Sequence, residues 1–355
     1  MNTVSIIIPV FNGAPFLEST VRRLQSQSYQ DIEIVIVDDG SVDESFAICR
    51  KVAKKDNRIK VVHQDNAGIC QARNAGLKSA SGRYVMFCDQ DDVMLPDAVS
   101  SLVARIEETG SDLIIGSKVL ELVSCGLEKP RTASSHVLQY QDETLVSKEQ
   151  IIELAYNEDG MHRASHLWNC LYVRAVIEEN NIAFDPAFKK GFEDTDFNFF
   201  YLSRCASVSF SRAIVYCYRR RISESTSLLF NEAYLSDVAY LLTKMKAICL
   251  AYSRPEQGGA ERFGLFALRM LFSGYDHEAS HGSSLRRLCD VVDEMKGFYT
   301  ELVPRKLMHG RAQPDVVTRL YYLLDRSLRL KNPVPAYALS RMLSLMKKAK
   351  TAISR

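Results

Sequence analysis

The sequence predicts an α/β fold: a mixed, mostly parallel sheet flanked by helices, followed by a helical C-terminal module. Three observations predict it. Short β-branched runs alternate with helical periods through the first half of the chain. Those runs are apolar throughout, as strands covered on both faces are. After about residue 227 they give way to Leu- and Met-rich helical spacing. A chain of 355 residues, 46% hydrophobic and 25% charged, has room for one large domain and a second module, and its composition excludes disorder. The predicted division is 1–226, with halves of about 1–116 and 117–226, and 227–355.

Each element has its own signal. Val4 to Ile8 is a strand that Pro9 ends, and Phe16, Leu17, Val21 and Leu24 follow at helical spacing. Ile32 to Val37 is a second strand, stopping at Asp38-Asp39-Gly40-Ser41, and Phe46, Ile48, Val52 and Ala53 mark a second helix. Ile59 to Val62 is a third strand, Ala67 to Ala80 a helix, and Tyr84 to Cys88 a fourth strand. A helix through Leu102, Val103 and Ile106 precedes a strand at Leu113 to Ile115. Residues 117–150 are polar and give no clear period. Val208 to Arg219 is a strand returning to the sheet. Beyond it, helical periods break at Arg254–Gly259 and Lys331–Pro335.

Composition removes several function classes. Lys+Arg 45 against Asp+Glu 43 leaves +2, so no whole-chain basic field for gripping nucleic acid is implied. No apolar run reaches the ~18 residues a membrane span needs. The opening Met1-Asn2-Thr3-Val4 carries no basic stretch before an apolar one, which predicts no secretory signal and a cytoplasmic location. Nine scattered cysteines with no Cys-x-x-Cys pair predict reduced thiols.

Polar residues converge where strands end. In an open parallel sheet, ligands bind beyond the carboxyl ends of the strands. Three ends here carry chemistry: Pro9-Val10-Phe11-Asn12, Asp38-Asp39-Gly40-Ser41 and Asp89-Gln90-Asp91-Asp92. Neighbouring strands lie ~4.8 Å apart, so these groups can share one crevice. So many carboxylates repel one another unless a cation compensates, and oxygen donors suit Mg or Mn. Taken singly, each stretch also reads as helix capping. Neither a Gly-x-Gly-x-x-Gly after a strand nor a Walker loop is present.

The ordered series of motifs resembles glycosyltransferase family 2, the inverting sugar transferases of GT-A (Rossmann-like) fold, of the bacterial cell-surface polysaccharide type. The matching stretches are Val4–Asn12, Ile34–Asp43, Asn66-Ala67-Gly68 with Ala72–Gly76, Gly82–Asp92, Trp168–Tyr172 and Phe192–Phe197. They cover roughly residues 3–226. The resemblance implies an enzyme moving a sugar from a nucleotide-sugar donor, with UDP favoured, to a glycan or glycolipid acceptor. Pro9, Phe11 and Asp39 would line the nucleobase pocket, with Arg73 reaching the base or phosphates. Asp89 and Asp91 match the DxD motif, Asp89 on the ribose and Asp91 on a Mn or Mg ion. Asp92 would order the loop or reach the ion through water. Asp194, in Glu193-Asp194, would be the general base. Trp168 is either a platform for the acceptor sugar or a core side chain. Trp168-Asn169-Cys170 departs from the family's usual Trp-Asn-Lys. Arg219 and Arg221 resemble a segment that closes on the diphosphate, and His162, Arg163 and His166 read as phosphate or acceptor contacts or as a plain polar loop. A degenerate protein that binds sugar or a partner in an assembly complex is the alternative. The strand-end Asp-x-Asp also echoes haloacid-dehalogenase-like phosphatases, although three strands precede it here.

The last 35 residues hold eight Lys and Arg against Asp325 alone, with Leu339, Met342, Leu343, Met346, Ala349 and Ile353 at helical spacing. Such a basic amphipathic helix either docks on its own module or lies peripherally on an anionic membrane surface, the inner face of the plasma membrane in this family.

Overall fold

The computed structural model describes residues 3–124, 131–156, 163–221, 231–252 and 259–302, with short helical stretches within 323–329 and 339–341. Ten strands form one sheet: β1 (Val4–Val10), β2 (Ile32–Asp39), β3 (Ile59–Gln64), β4 (Tyr84–Phe87), β5 (Val93–Met94), β6 (Leu113–Ser124), β7 (Arg131–Leu138), β8 (Thr144–Leu145), β9 (Cys170–Val173) and β10 (Val208–Arg221). The helices are α1 (Ala14–Gln25), α2 (Ser45–Ala53), α3 (Ile69–Ser79), α4 (Ala98–Thr109), α5 (Lys148–Glu153), α6 (Arg174–Glu179), α7 (Glu193–Leu202), α8 (Tyr234–Ala251), α9 (Gly259–Ser280) and α10 (Leu285–Leu302).

The strand order is β3-β2-β1-β4-β9-β6-β10-β5, with β7 added to β6 and β8 to β10. β1 to β4 run parallel, β9 is antiparallel to both its neighbours, and β6 and β10 are parallel. The expected mixed sheet with flanking helices is what forms, parallel from β1 to β4 and between β6 and β10, with antiparallel pairings elsewhere. Both faces are covered, so Ile6, Ile7, Ile8, Ile34, Val35 and Ile36 are all fully buried. Leu17, Val21 and Leu24 of α1 and Val99, Leu102 and Ile106 of α4 pack on one face. On α3 the backbone of Gly76 lies against Ile7, where a Cβ would come within 2.4 Å of its side chain.

Two elements differ from the sequence reading. Pro9 does not end β1 but sits inside it, paired with Val37. Proline in a central strand normally removes a ladder bond. Here Cys88 N–H donates to the Ile7 carbonyl on the β4 side at 3.0 Å, and the pairing with β4 stops there, so Pro9 turns its missing N–H to the side where that ladder ends while β2 runs on beside it. The segment after Ile115 is also more regular than its polarity suggested. β6 continues to Ser124, held between β10 and β7.

The chain divides into two compact units, residues 1–155 with 159–228, and residues 156–158 with 229–355. In the second, α8, α9 and α10 pack on one another through Leu242, Met245, Leu268, Leu271, Val291 and Met295. The expected basic tail falls outside the described residues from Met342 onward. Among the described residues no helix is long and apolar enough to cross a membrane. The eight described cysteines are thiols.

Candidate functional site

The first wall of the site is the end of β1 and β2. The chain leaves β1 through Asn12, whose φ of 49° is left-handed. Side chains from the following loop brace that turn. Asn12 N–H donates to Ser41 Oγ at 3.0 Å, Gly13 N–H to Ser45 Oγ at 2.8 Å and Ala14 N–H to Asp43 Oδ2 at 3.1 Å. Gly40 has φ +70°, and a Cβ there would lie 2.6 Å from the Asn66 backbone nitrogen. Asp39 is buried and accepts from Gln64 Nε2 at 2.7 Å and from the N–H groups of Ala67 and Gly68 at 2.9 Å. It thereby pins the loop entering α3. With two bonds on Oδ1 and one on Oδ2, the carboxylate keeps acceptor capacity for a ligand. Phe11 stands at the rim, 44% exposed.

The second wall is the turn after β4. Gln90 clamps it to the first: its Oε1 accepts from Phe11 N–H and its Nε2 donates to the Phe11 carbonyl, both at 3.1 Å. Asp92 is buried, accepting from Tyr216 Oη at 3.2 Å and from Arg219 N–H at 2.8 Å. Burial beside Asp89 and Asp91 pushes its carboxyl far up. Tyr216 also accepts from Asp89 N–H at 3.0 Å, so one phenol orders both ends of the acidic turn. Asp91 is paired with Arg221 of β10.

The third wall is the first turn of α7. The chain enters it through Gly191 (φ 125°) and Phe192 (φ 69°), which turn Glu193 and Asp194 toward the strand ends. Arg73 from α3 reaches three carboxylates: Asp194 at 2.5 Å, Glu193 at 3.0 Å and Asp89 at 3.3 Å. Its guanidinium also lies 5.4 Å from the Phe184 ring centroid. Burial raises the Asp194 carboxyl well above the usual range; Arg73 pulls it back, and Glu193 and Asp89 push it up again. Burial raises Asp89 as well.

Three of the expected residues sit within the protein's own contacts. Arg73 was expected on the base or phosphates, but its guanidinium is bound into the carboxylate cluster. Trp168 is a core side chain, 2% exposed, stacked 4.5 Å from Tyr216 and 5.6 Å from Tyr218, so its ring is not offered to a sugar. Arg219 turns its side chain to Glu121 at 3.2 Å, and only its backbone meets the acidic turn. Arg163 pairs with Glu143, and His162 lies outside the described residues. Sequence reasoning missed Gln90, Tyr216 and Lys118. Gln90 lies inside the acidic motif and was legible there. Tyr216 lies 124 residues from Asp92, beyond any local pattern. Lys118 is fully buried on β6 and donates to His166 Nδ1 at 2.9 Å; burial lowers its amine to about 7.

A divalent cation suits this donor set. Asp91 offers carboxylate oxygen at the mouth, its side chain 34% exposed, and the surrounding carboxylates outnumber the arginines among them. Among the described residues no three His, Cys, Asp or Glu side chains converge as a complete cage. A cation here would take its remaining ligands from diphosphate and water.

Comparison with known proteins bears on this arrangement. The model for glycosyl transferase family 2 matches residues 5–166. A Bacillus subtilis protein described as the uncharacterized glycosyltransferase EpsJ is 31% identical over 65% of this chain and 64% of its own length. The Campylobacter jejuni GalNAc(5)-diNAcBac-PP-undecaprenol beta-1,3-glucosyltransferase is 32% identical over 48% of this chain and 60% of its own. The chain thus spans a little under two thirds of the length of these relatives. Residues 1–349 of S. aureus TarS, solved with UDP-GlcNAc, share the fold: TM-score 0.73 at 20% identity, over 98% of this chain and 92% of that one.

Proposed function

We propose that this chain, whose residues 5–166 match the glycosyl transferase family 2 model, moves a sugar from a nucleoside diphosphate donor, a UDP-sugar, to the hydroxyl of a glycan or lipid-linked acceptor with inversion at the anomeric carbon. The observation that carries this reading is the Asp194 carboxylate, fixed by Arg73 within the same ion cluster as Asp89 at the strand ends. The relative that acts on an undecaprenol-linked acceptor and the structural neighbour bound to UDP-GlcNAc support the acceptor and donor classes.

The chain's residues divide the work by position. Asp39 has acceptor capacity left for the imide N–H of a uracil base, beside Pro9 and Phe11. Asp89 accepts from the ribose hydroxyls. A Mn or Mg ion held by Asp91 and the diphosphate would supply countercharge to the leaving group. Asp194 takes the proton of the attacking acceptor hydroxyl. Its raised pKa brings it closer to the operating pH than a free carboxylate near 4, and so makes it a better base. Arg73 favours its ionised form and fixes its direction.

The test is calorimetric titration of UDP, GDP, dTDP and CMP, each with Mn²⁺ and then with EDTA, followed by transfer assays with the UDP-sugar. Tight UDP binding that EDTA abolishes, together with turnover, is the expected result. Failure to bind any nucleotide would put the partner-binding alternative ahead.

A further inference from the structure

Two arginines neutralise the acidic crevice, and they are held differently. Arg73 is buried among three carboxylates drawn from β4's turn and α7. Arg221, at the end of β10, holds Asp91 through both its carboxylate and its carbonyl. Its guanidinium pairs with the Asp91 carboxylate and donates through Nη2 to the Asp91 carbonyl at 2.9 Å, and it covers the Phe16 ring at 4.1 Å. The carboxylate it holds is the most exposed of the cluster, its side chain 34% exposed against 29% for Asp89 and 24% for Asp194.

We propose that Arg221 is a positioning residue of the cation site: it serves as the resident counter-ion of Asp91 and makes cation binding conditional on the donor's diphosphate. The proposal rests on the nucleotide-dependent reading above. A bare divalent cation approaching Asp91 must displace a guanidinium and sit beside it, charge against charge. A cation arriving with a nucleoside diphosphate carries phosphate oxygens, which satisfy the released guanidinium bidentately. The same side chain therefore opposes the cation alone and favours the cation–diphosphate pair. Cation and nucleotide become coupled, and linkage requires each to raise the other's affinity by the same factor.

The experiment measures Mn²⁺ affinity by the electron paramagnetic resonance of free Mn²⁺, with and without UDP, for the parent chain, Arg221→Gln, Arg221→Lys and Phe16→Leu. Arg221→Gln should bind Mn²⁺ alone about tenfold tighter and UDP–Mn²⁺ more weakly, shrinking the coupling. Arg221→Lys should keep the weak binding of bare Mn²⁺, because the charge remains. Phe16→Leu loosens the guanidinium without removing it and should move Mn²⁺ affinity in the direction of Arg221→Gln by a smaller factor. A structural role alone would lower the melting temperature without tightening Mn²⁺. Unchanged or weaker Mn²⁺ binding in Arg221→Gln and Phe16→Leu, with UDP–Mn²⁺ binding intact in the parent, overturns the counter-ion. A parent chain that binds no UDP with Mn²⁺ overturns the functional reading and the counter-ion together.

Discussion

At opposite ends of the same sheet, a buried carboxylate and a half-buried one meet opposite environments. Near the start of β2, Glu33 accepts from Lys60 Nζ at 2.5 Å, from the Ser5 hydroxyl, from Ser81 N–H at 2.5 Å and Oγ at 2.8 Å, and from Gly82 N–H at 3.0 Å. Burial alone would raise its carboxyl, but these donors hold it at about 2. Beyond the other end of the strands, Asp194 is also largely withdrawn from water, its side chain 24% exposed, yet its neighbours are Glu193, Asp89 and one shared arginine, and it is raised. Burial is common to both. What differs is the ratio of donors to competing carboxylates. The Glu33 end ties the β4 approach to β1, β2 and β3; the Asp194 end keeps a strained charge where chemistry can use it.

The comparison can be broken in three places. The largest effect is expected from Asp194→Asn, which removes the base but keeps the shape. Transfer should fall by ~10²-fold or more, with calorimetric UDP–Mn²⁺ binding retained and the melting temperature not lowered. A variant transferring at the parent rate would mean that another group is the base. Next is Glu33→Gln, which should cost about 3 kcal/mol in urea denaturation at neutral pH while leaving the specific rate of the folded fraction unchanged. The sign with pH follows from the depressed value. Glu33's contribution is complete above the ordinary glutamate range and is lost as pH falls toward about 2, so the parent and variant unfolding curves should converge in acid. The smallest effect is on the rate profile. Because Asp194 is raised and must be ionised to act, kcat/KM should climb with pH through a limb lying above the usual carboxylate range. Glu193→Gln removes one repelling neighbour and should move that limb down by about one pH unit. A limb near 4 in the parent chain would place Asp194 outside the crowded cluster.

Much of the crevice was legible because it is local. Asp39, Asp89, Asp91 and Asp194 stand at strand ends or a helix start, and such ends are marked by the switch from an apolar run to polar residues. The partners of Arg73 and Trp168 were not legible. An arginine in a helix and a tryptophan before a strand announce their type, while their partners lie on other elements: Asp194 is 121 residues from Arg73, and Tyr216 is far along the chain from Trp168. Pro9 misled for a related reason. Whether it ends a strand depends on which side its missing N–H faces, and here that is the side where the β4 ladder stops while β2 runs on.

The sequence by itself determined the alternation of covered strands and helices, and with it the row of carboxylates beyond the strand ends, since apolar runs and their punctuation are properties of neighbouring residues. Tertiary structure decided which cation each carboxylate meets. Arg73 and Arg221 come from α3 and β10, and only the packing of those elements against the strand ends gives Asp194 a buried, shared guanidinium and Asp91 one at the mouth. Charge interactions depend on distance and on exclusion of water, and neither is written in the order of the residues.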